Sequence, residues 1–145
     1  MKPLLSFCLL LTLLSCQNGI DSQATKERLK TILSDYYNAM AKKDIQKMNE
    51  LTAKNFVFFD EGKVYNNETA LKSIEPIGSF TASFSFDSVN AHIDKANASA
   101  YYFRAANFTI GDSTYPTMKF VESATFEKES GKWKLRFLHS SIRQP

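Results

Sequence analysis

Cysteine is scarce in this 145-residue chain: it occurs twice, as Cys8 and Cys16, and both fall within the first sixteen residues. Nothing beyond residue 16 can therefore build a disulfide scaffold, a cysteine nucleophile or a cysteine metal site. Histidine is equally sparse, with His92 and His139 far apart in sequence, so no zinc site is expected. Five glycines and four prolines are too few for a collagen-like or low-complexity chain. Long apolar runs are missing as well. The longest, Leu4 to Leu14, is broken by Ser6 and Thr12 and falls short of the about 20 residues that span a bilayer as a helix. No GxGxxG, Walker loop, HExxH, EF-hand loop or GxSxG elbow occurs, so no cofactor is expected. A net charge of +3 is too small to argue for a nucleic-acid partner. What is present is 43% hydrophobic and 23% charged residues, the balance of one globular domain.

The first residues read as an address. Lys2 is the sole charge before Asp21, an apolar run follows it, and small residues follow the run, which is the layout of a secretory signal. The segment ends Leu13-Leu14-Ser15-Cys16, which resembles a bacterial lipobox; Cys8 does not match, because bulky Phe7 precedes it. The resemblance implies cleavage before Cys16, thioether lipidation of Cys16 and acylation of the new N-terminus. The expected organisation is a lipoprotein signal peptide over 1–15, a tether over 16–22 and one domain over 23–145. The membrane is then a partner through the anchor, and the location is the cell envelope. Residues 17–22 reach at most ~20 Å when extended, so the domain stays near the bilayer. Gln17 stands where an Asp often retains such proteins at the inner membrane, which favours the outer one. The sequons at Asn67, Asn97 and Asn107 point instead to a glycosylated secreted protein, and the lipobox outweighs them.

Leu29, Ile32, Leu33, Tyr36, Tyr37 and Met40 recur at helical spacing and predict an amphipathic helix from about Gln23 to Lys43, with Ser22 as its cap. Asp44 reads as the cap of a second helix carrying Ile45, Met48 and Leu51 on one face. A short strand over Phe56 to Phe59 turns back through Glu61-Gly62-Lys63. Asn66 or Asn67 then caps a brief helix that Pro76 and Gly78 end. From Phe80 onward the period becomes two, with strands expected at 80–86, 89–94, 98–109, 117–128 and 132–140. Helices first and an antiparallel meander afterwards make an α+β fold.

This order resembles a known pattern. Tyr36-Tyr37-Asn38-Ala39-Met40, Asp44, Leu51 and Phe56-Val57-Phe58-Phe59-Asp60 look like the opening of the nuclear transport factor 2-like superfamily. The run from Gly131 and Trp133 through Phe137, Leu138 and His139 to Ser141 is similar to the last strand of its polyketide-cyclase-like (SnoaL-like) and kinase-association-domain branches. The resemblance implies a cone, with N-terminal helices packed on a curved antiparallel sheet, a pocket between them, and commonly a homodimer. The superfamily holds isomerases, dehydratases and members without known activity, so the fold leaves function open.

Strict alternation gives the candidate site. A two-residue Ser130-Gly131 loop pairs Phe126 with Leu135, Ala124 with Phe137 and Glu122 with His139. A carboxylate beside an imidazole could act as a general acid or base, or simply tie two strands together. Asp60, at the end of the first strand, is the other candidate base; ordinary turn chemistry with Glu61-Gly62 is the plainer reading. Phe58, Tyr101, Phe103, Phe120, Trp133 and Phe137 are the expected walls of a pocket for a small apolar molecule. Arg104 and Tyr102 are expected on the opposite face. There Val89, Tyr102, Val121 and Leu138 suggest a dimer surface. Three functions stay open: a lipid-anchored binding domain, a proton-transfer enzyme using Asp60 or Glu122 with His139, and a dimerising assembly module.

Overall fold

A computed structural model describes residues 22–144. The signal segment, most of the tether and Cys16 lie outside the described residues. Helix α1 (Ser22–Ala41) is followed by α2 (Ile45–Leu51), strands β1 (Thr52–Asp60) and β2 (Lys63–Tyr65), and α3 (Asn67–Ile74). A 3-10 turn, Glu75–Ile77, leads into β3 (Phe80–Ile93), β4 (Asn97–Ile110), β5 (Ser113–Thr114), β6 (Met118–Glu129) and β7 (Lys132–Ile142). The helices pack on one face of a curved sheet of order β2-β1-β7-β6-β4-β3, with β5 on β4.

The caps explain where the helices begin. Asp44 accepts a hydrogen bond from the Lys47 amide at 2.9 Å, and Asn66 forms a reciprocal capping box with Thr69. The expected apolar stripe of α1 is the core: Leu29, Ile32, Leu33, Tyr36 and Tyr37 are buried, while Met40 is half-buried. Each such side chain contributes ~1.5–3 kcal/mol by leaving water. Ala98, Ala100, Ala106 and Ala124 fill the inner face of β4 and β6, while α1 packs its Tyr37 ring against Phe84 and Phe86 of β3. Among the described residues the core runs from Leu29 to Leu138, which gives this domain a hydrophobic core of its own.

The meander from Phe80 onward is antiparallel as expected, and β1 joins it by pairing in parallel with β7, the first strand of the described domain with its last. One correction concerns its strands. The two strands expected at 80–86 and 89–94 are one, bent at a bulge between Asp87 and Asn90 where Ser88 takes a positive φ of 51°. That extra residue switches which side chains point inward, from even numbers before it to Val89, Ala91 and Ile93 after it.

A second bulge lies in the last hairpin. The loop at Ser130 and Gly131, both at positive φ, sets the expected register, and it holds through Phe126 opposite Leu135. Beyond that point Arg136 is an extra residue, so Thr125 faces Phe137, Ala124 faces Leu138, and Glu122 faces Ser140. The connection from β4 to β6 also runs longer than two residues. It contains β5 and places Tyr102 opposite Glu122 and Arg104 opposite Phe120. Tyr102 and Arg104 therefore point inward, and Tyr101 and Phe103 outward. Of the four residues expected to form a dimer surface, Val89, Tyr102 and Leu138 are buried inside and only Val121 is exposed.

Candidate functional site

The curvature of β3, β4 and β6 under α1 and α3 leaves a cavity of about 320 Å³. Its walls are Tyr37 and Met40 from α1, Phe58 and Tyr65 from β1 and β2, Ile74 from α3, Phe84 from β3, Phe108 from β4 and Phe120 from β6. Asp60, Glu61, Ser73 and Arg104 supply its polar groups. The 3-10 turn closes one side, held to the end of α1 by a 2.9 Å hydrogen bond from Lys43 Nζ to the Gly78 carbonyl.

Below the floor lies a buried polar cluster centred on Glu122. Its Oε1 accepts from Arg104 Nε at 2.7 Å, from the Tyr37 hydroxyl at 2.9 Å and from the Ser140 hydroxyl at 2.9 Å. Its Oε2 is buried without a hydrogen-bond partner among the described residues, as is the nearby Tyr102 hydroxyl. Arg104 is 5% exposed, and its guanidinium carbon sits 4.1 Å from the Tyr37 ring centroid and 3.9 Å from that of Phe120. The guanidinium is thus clamped between two rings, with one edge tied to Glu122.

The electrostatics follow from this enclosure. Burial raises the Tyr37 and Tyr102 pKa values well above the ordinary tyrosine value, and the Glu122 charge adds to the rise. Burial penalises the Arg104 charge, but Tyr37 and Glu122 more than offset it and hold the guanidinium protonated. Asp60 is pushed above the usual carboxylate value, chiefly by burial and next by Glu61, while Arg104 opposes the rise.

Of the residues expected at the site, Phe58, Phe120 and Asp60 line the cavity, and Glu122 lies beneath it. His139 does not join them. The extra residue in β7 turns it outward, where it is exposed opposite Ser123 and beside Phe59, so the Glu122–His139 pair does not form. Tyr101 (64% exposed) and Phe103 (37%) stand on the outer face for the register reason given above. Phe137 is turned outward by the same bulge and packs edge-on against Phe59 at 5.1 Å. Trp133 packs against the core outside the cavity, with Lys128 Nζ 4.8 Å above its ring. Sequence reasoning missed Tyr37, Tyr102, Arg104 and Ser140 as site residues. The signal for two of them was the alternation Ala98, Ala100, Tyr102, Arg104, Ala106, in which small side chains mark the face that meets a helix.

A second, polar recess of about 490 Å³ is lined by Asn49, Thr52, Asn67 and Lys134 among others. There Asn67, 7% exposed, donates to Asn49 Oδ1 at 2.7 Å and to Thr52 Oγ1 at 2.9 Å, pinning α3 to α2 and β1. Its sequon is therefore closed in the folded domain. Among the described residues no group of three or more His, Cys, Asp or Glu could hold a metal ion. No helix among them is long and apolar enough to cross a membrane.

Helices seated on a curved sheet, with an apolar cavity and a polar floor between them, define a cone-shaped α+β fold. The SnoaL-like domain family matches residues 29–145, and the chain belongs to that family. Among solved structures, the chain is similar to the association domain of C. elegans CaMKII, at 19% identity and TM-score 0.70 over 82% of this chain and 96% of that one. The CaMKII hub homology domain of a Chlamydomonas alga matches at 14% identity and TM-score 0.69, over 83% and 99% of the two chains. An NTF2-like protein from Cytophaga hutchinsonii matches at 12% identity and TM-score 0.66, over 81% and 98%. At these identities the likeness is one of fold. Among curated proteins no match to the chain is found.

Proposed function

We propose that this protein is a lipid-anchored envelope domain that holds a small, largely apolar molecule in its cone. The observation that carries this reading is the cavity of about 320 Å³, walled mainly by aromatic and aliphatic side chains and given direction by Arg104 and Asp60. A concave apolar site with few convergent polar groups is the usual small-ligand arrangement. At about 30 Å³ for each water-sized group, the cavity has room for roughly ten non-hydrogen atoms. Native mass spectrometry of the 22–145 domain from its own organism's extract tests the reading: an extra mass released on denaturation is expected, and a bare domain at every extract concentration contradicts it. The anchor is supported by the Leu13-Leu14-Ser15-Cys16 pattern; Cys16→Ala is expected to abolish lipid labelling and membrane retention.

A second reading, self-association, has its own observation. On the outer face of the sheet, strand register sets Tyr101, Ser123, His139 and Phe59 in one row, with Phe103 beside Val121 in the next. Tyr101, Phe103, Val121 and Phe59 are all exposed, with the Arg143 guanidinium carbon 4.4 Å from the Phe103 ring centroid and Asp87 opposite Phe103 at the edge of the patch. Exposed rings bordered by an arginine are the anatomy of a protein interface, and the fold neighbours include association domains. The proton-transfer alternative retains Asp60 alone, since His139 faces away from the cavity.

A further inference from the structure

The charges that face the cavity do not balance. Asp60, Glu61 and Arg104 are the charged residues of its lining, and Glu122 lies beneath the floor. Arg104 is already paired: its Nε lies 2.7 Å from Glu122 Oε1, with both side chains buried. Setting that pair aside leaves two carboxylates and no cation. Neither Asp60 nor Glu61 forms an ion pair with a described residue. Glu61 Oε1 accepts from the Ile142 amide at 2.8 Å, which ties this exposed side chain to the edge of the cavity.

The elements around Asp60 bring no counter-charge into the cavity. Lys63 is its cross-strand neighbour on β2 but is exposed and does not line the cavity. Lys43, just after α1, gives its Nζ to the Gly78 carbonyl. Ser140 lies beside Asp60 on β7, Tyr37 and Tyr65 are the titratable groups that α1 and β2 add to the lining, and α3 and β3 add no charge. Burial first and Glu61 next raise the Asp60 pKa, as expected where like charges share a partly enclosed site. A ligand with a positive head relieves that repulsion, whereas a carboxylate would add a fourth anion to Asp60, Glu61 and Glu122.

The nearby rings suit a positive head as well. Phe58 lines the cavity two residues before Asp60 on β1, and its ring centroid is 6.0 Å from that of Tyr65. Ring faces attract an ammonium, more strongly where water is partly excluded. Depth then sets the orientation. Arg104 is buried, Asp60 is half-buried and Glu61 is exposed, so the unpaired carboxylates stand towards the mouth. An ammonium there keeps part of its hydration while an apolar body goes inward.

We propose that the cavity takes a small primary amine tail first, its ammonium at the mouth with Asp60 and Glu61 and against the Phe58 and Tyr65 rings, its alkyl body among Phe84, Phe108 and Phe120. This rests on the pocket-binding reading above and names its ligand class. Arg104 stays with Glu122 and takes no part in holding the head.

The test uses octylamine, 1-octanol and octanoate, of nearly equal size, titrated calorimetrically into the 22–145 domain, which has its own core. At about pH 7.5 the first is a cation, the second neutral and the third an anion. Octylamine is expected to bind one-to-one, at least about tenfold more tightly than either analogue. Asp60→Asn combined with Glu61→Gln keeps both shapes and the oxygen that the Ile142 amide uses. This double variant is expected to weaken octylamine by at least about tenfold and to leave 1-octanol within about twofold, which shows the cavity intact. Glu61→Gln alone, at an exposed turn, is expected to show part of the loss, so the test stands if the double variant does not fold. Binding of 1-octanol or octanoate as tight as octylamine overturns the amine assignment and leaves the apolar pocket standing. Octylamine affinity unchanged in these variants overturns the role of the carboxylates. Failure of all three probes contradicts the pocket reading itself.

Discussion

The two faces of one sheet are written on alternate residues of the same strands and behave as different surfaces. On β4 the inward set is Ala98, Ala100, Tyr102, Arg104 and Ala106; the outward set includes Tyr101 and Phe103. The inner face packs against α1 through Phe84 and Phe86 and has its polar centre at Glu122, where three donors converge on one oxygen. The outer face carries large exposed rings, with the Arg143 guanidinium beside Phe103 and Phe137 packed edge-on against Phe59. Size alone therefore does not identify a core position on this sheet.

The largest effect expected from breaking this contrast is on the inner face. Glu122→Ala leaves Arg104 buried without its counter-charge and should cost about 3–5 kcal/mol in a denaturant titration. Ser123→Ala, the adjacent residue on the outer face, should stay within about 0.5 kcal/mol. Equal costs at the two positions would remove the distinction. On the outer face, Val121→Asp should convert a dimer to a monomer by light scattering with little change in unfolding midpoint; an unchanged mass would dismiss that interface. Tyr37→Phe removes one hydrogen bond to the Glu122 carboxylate and should cost about 1.5–3 kcal/mol, read from the same denaturant curves.

The smallest effect expected is at the cavity. The folded-state pKa of Asp60 is raised, so the folded state binds more protons than the unfolded chain between the unfolded value and the folded one. Its contribution to stability therefore falls as pH rises through that window. Asp60→Asn should raise the melting temperature modestly near neutral pH and leave it unchanged in strong acid. A lower melting temperature at neutral pH would show that the Asp60 charge is stabilised instead, against the raised value.

Much of this architecture is legible in the sequence because its signals are local. The stripe from Leu29 to Tyr37, the Asp44 cap, the Asn66 cap and the Ser130–Gly131 turn each depend on a few neighbouring residues, and each lies where its pattern places it. Glu122 could be assigned inward because Phe120, Ala124 and Phe126 fix the parity of its strand. Its partners could not be assigned. Parity is carried along a strand only until a bulge, and the extra residue at Arg136 exchanges His139 for Ser140 opposite Glu122. The bulge at Ser88 does the same to β3, and the longer β4–β6 connection does so to Tyr102 and Arg104. The parallel pairing of β1 with β7 is a contact between the ends of the domain, and no local pattern encodes it.

We propose that the inner face binds and the outer face assembles, each without the other. Native mass spectrometry of the Val121→Asp domain exposed to its own organism's extract tests both halves at once. A monomer that still carries an extra mass released on denaturation is expected. A dimer, or a monomer that has lost the ligand along with its partner, would contradict it.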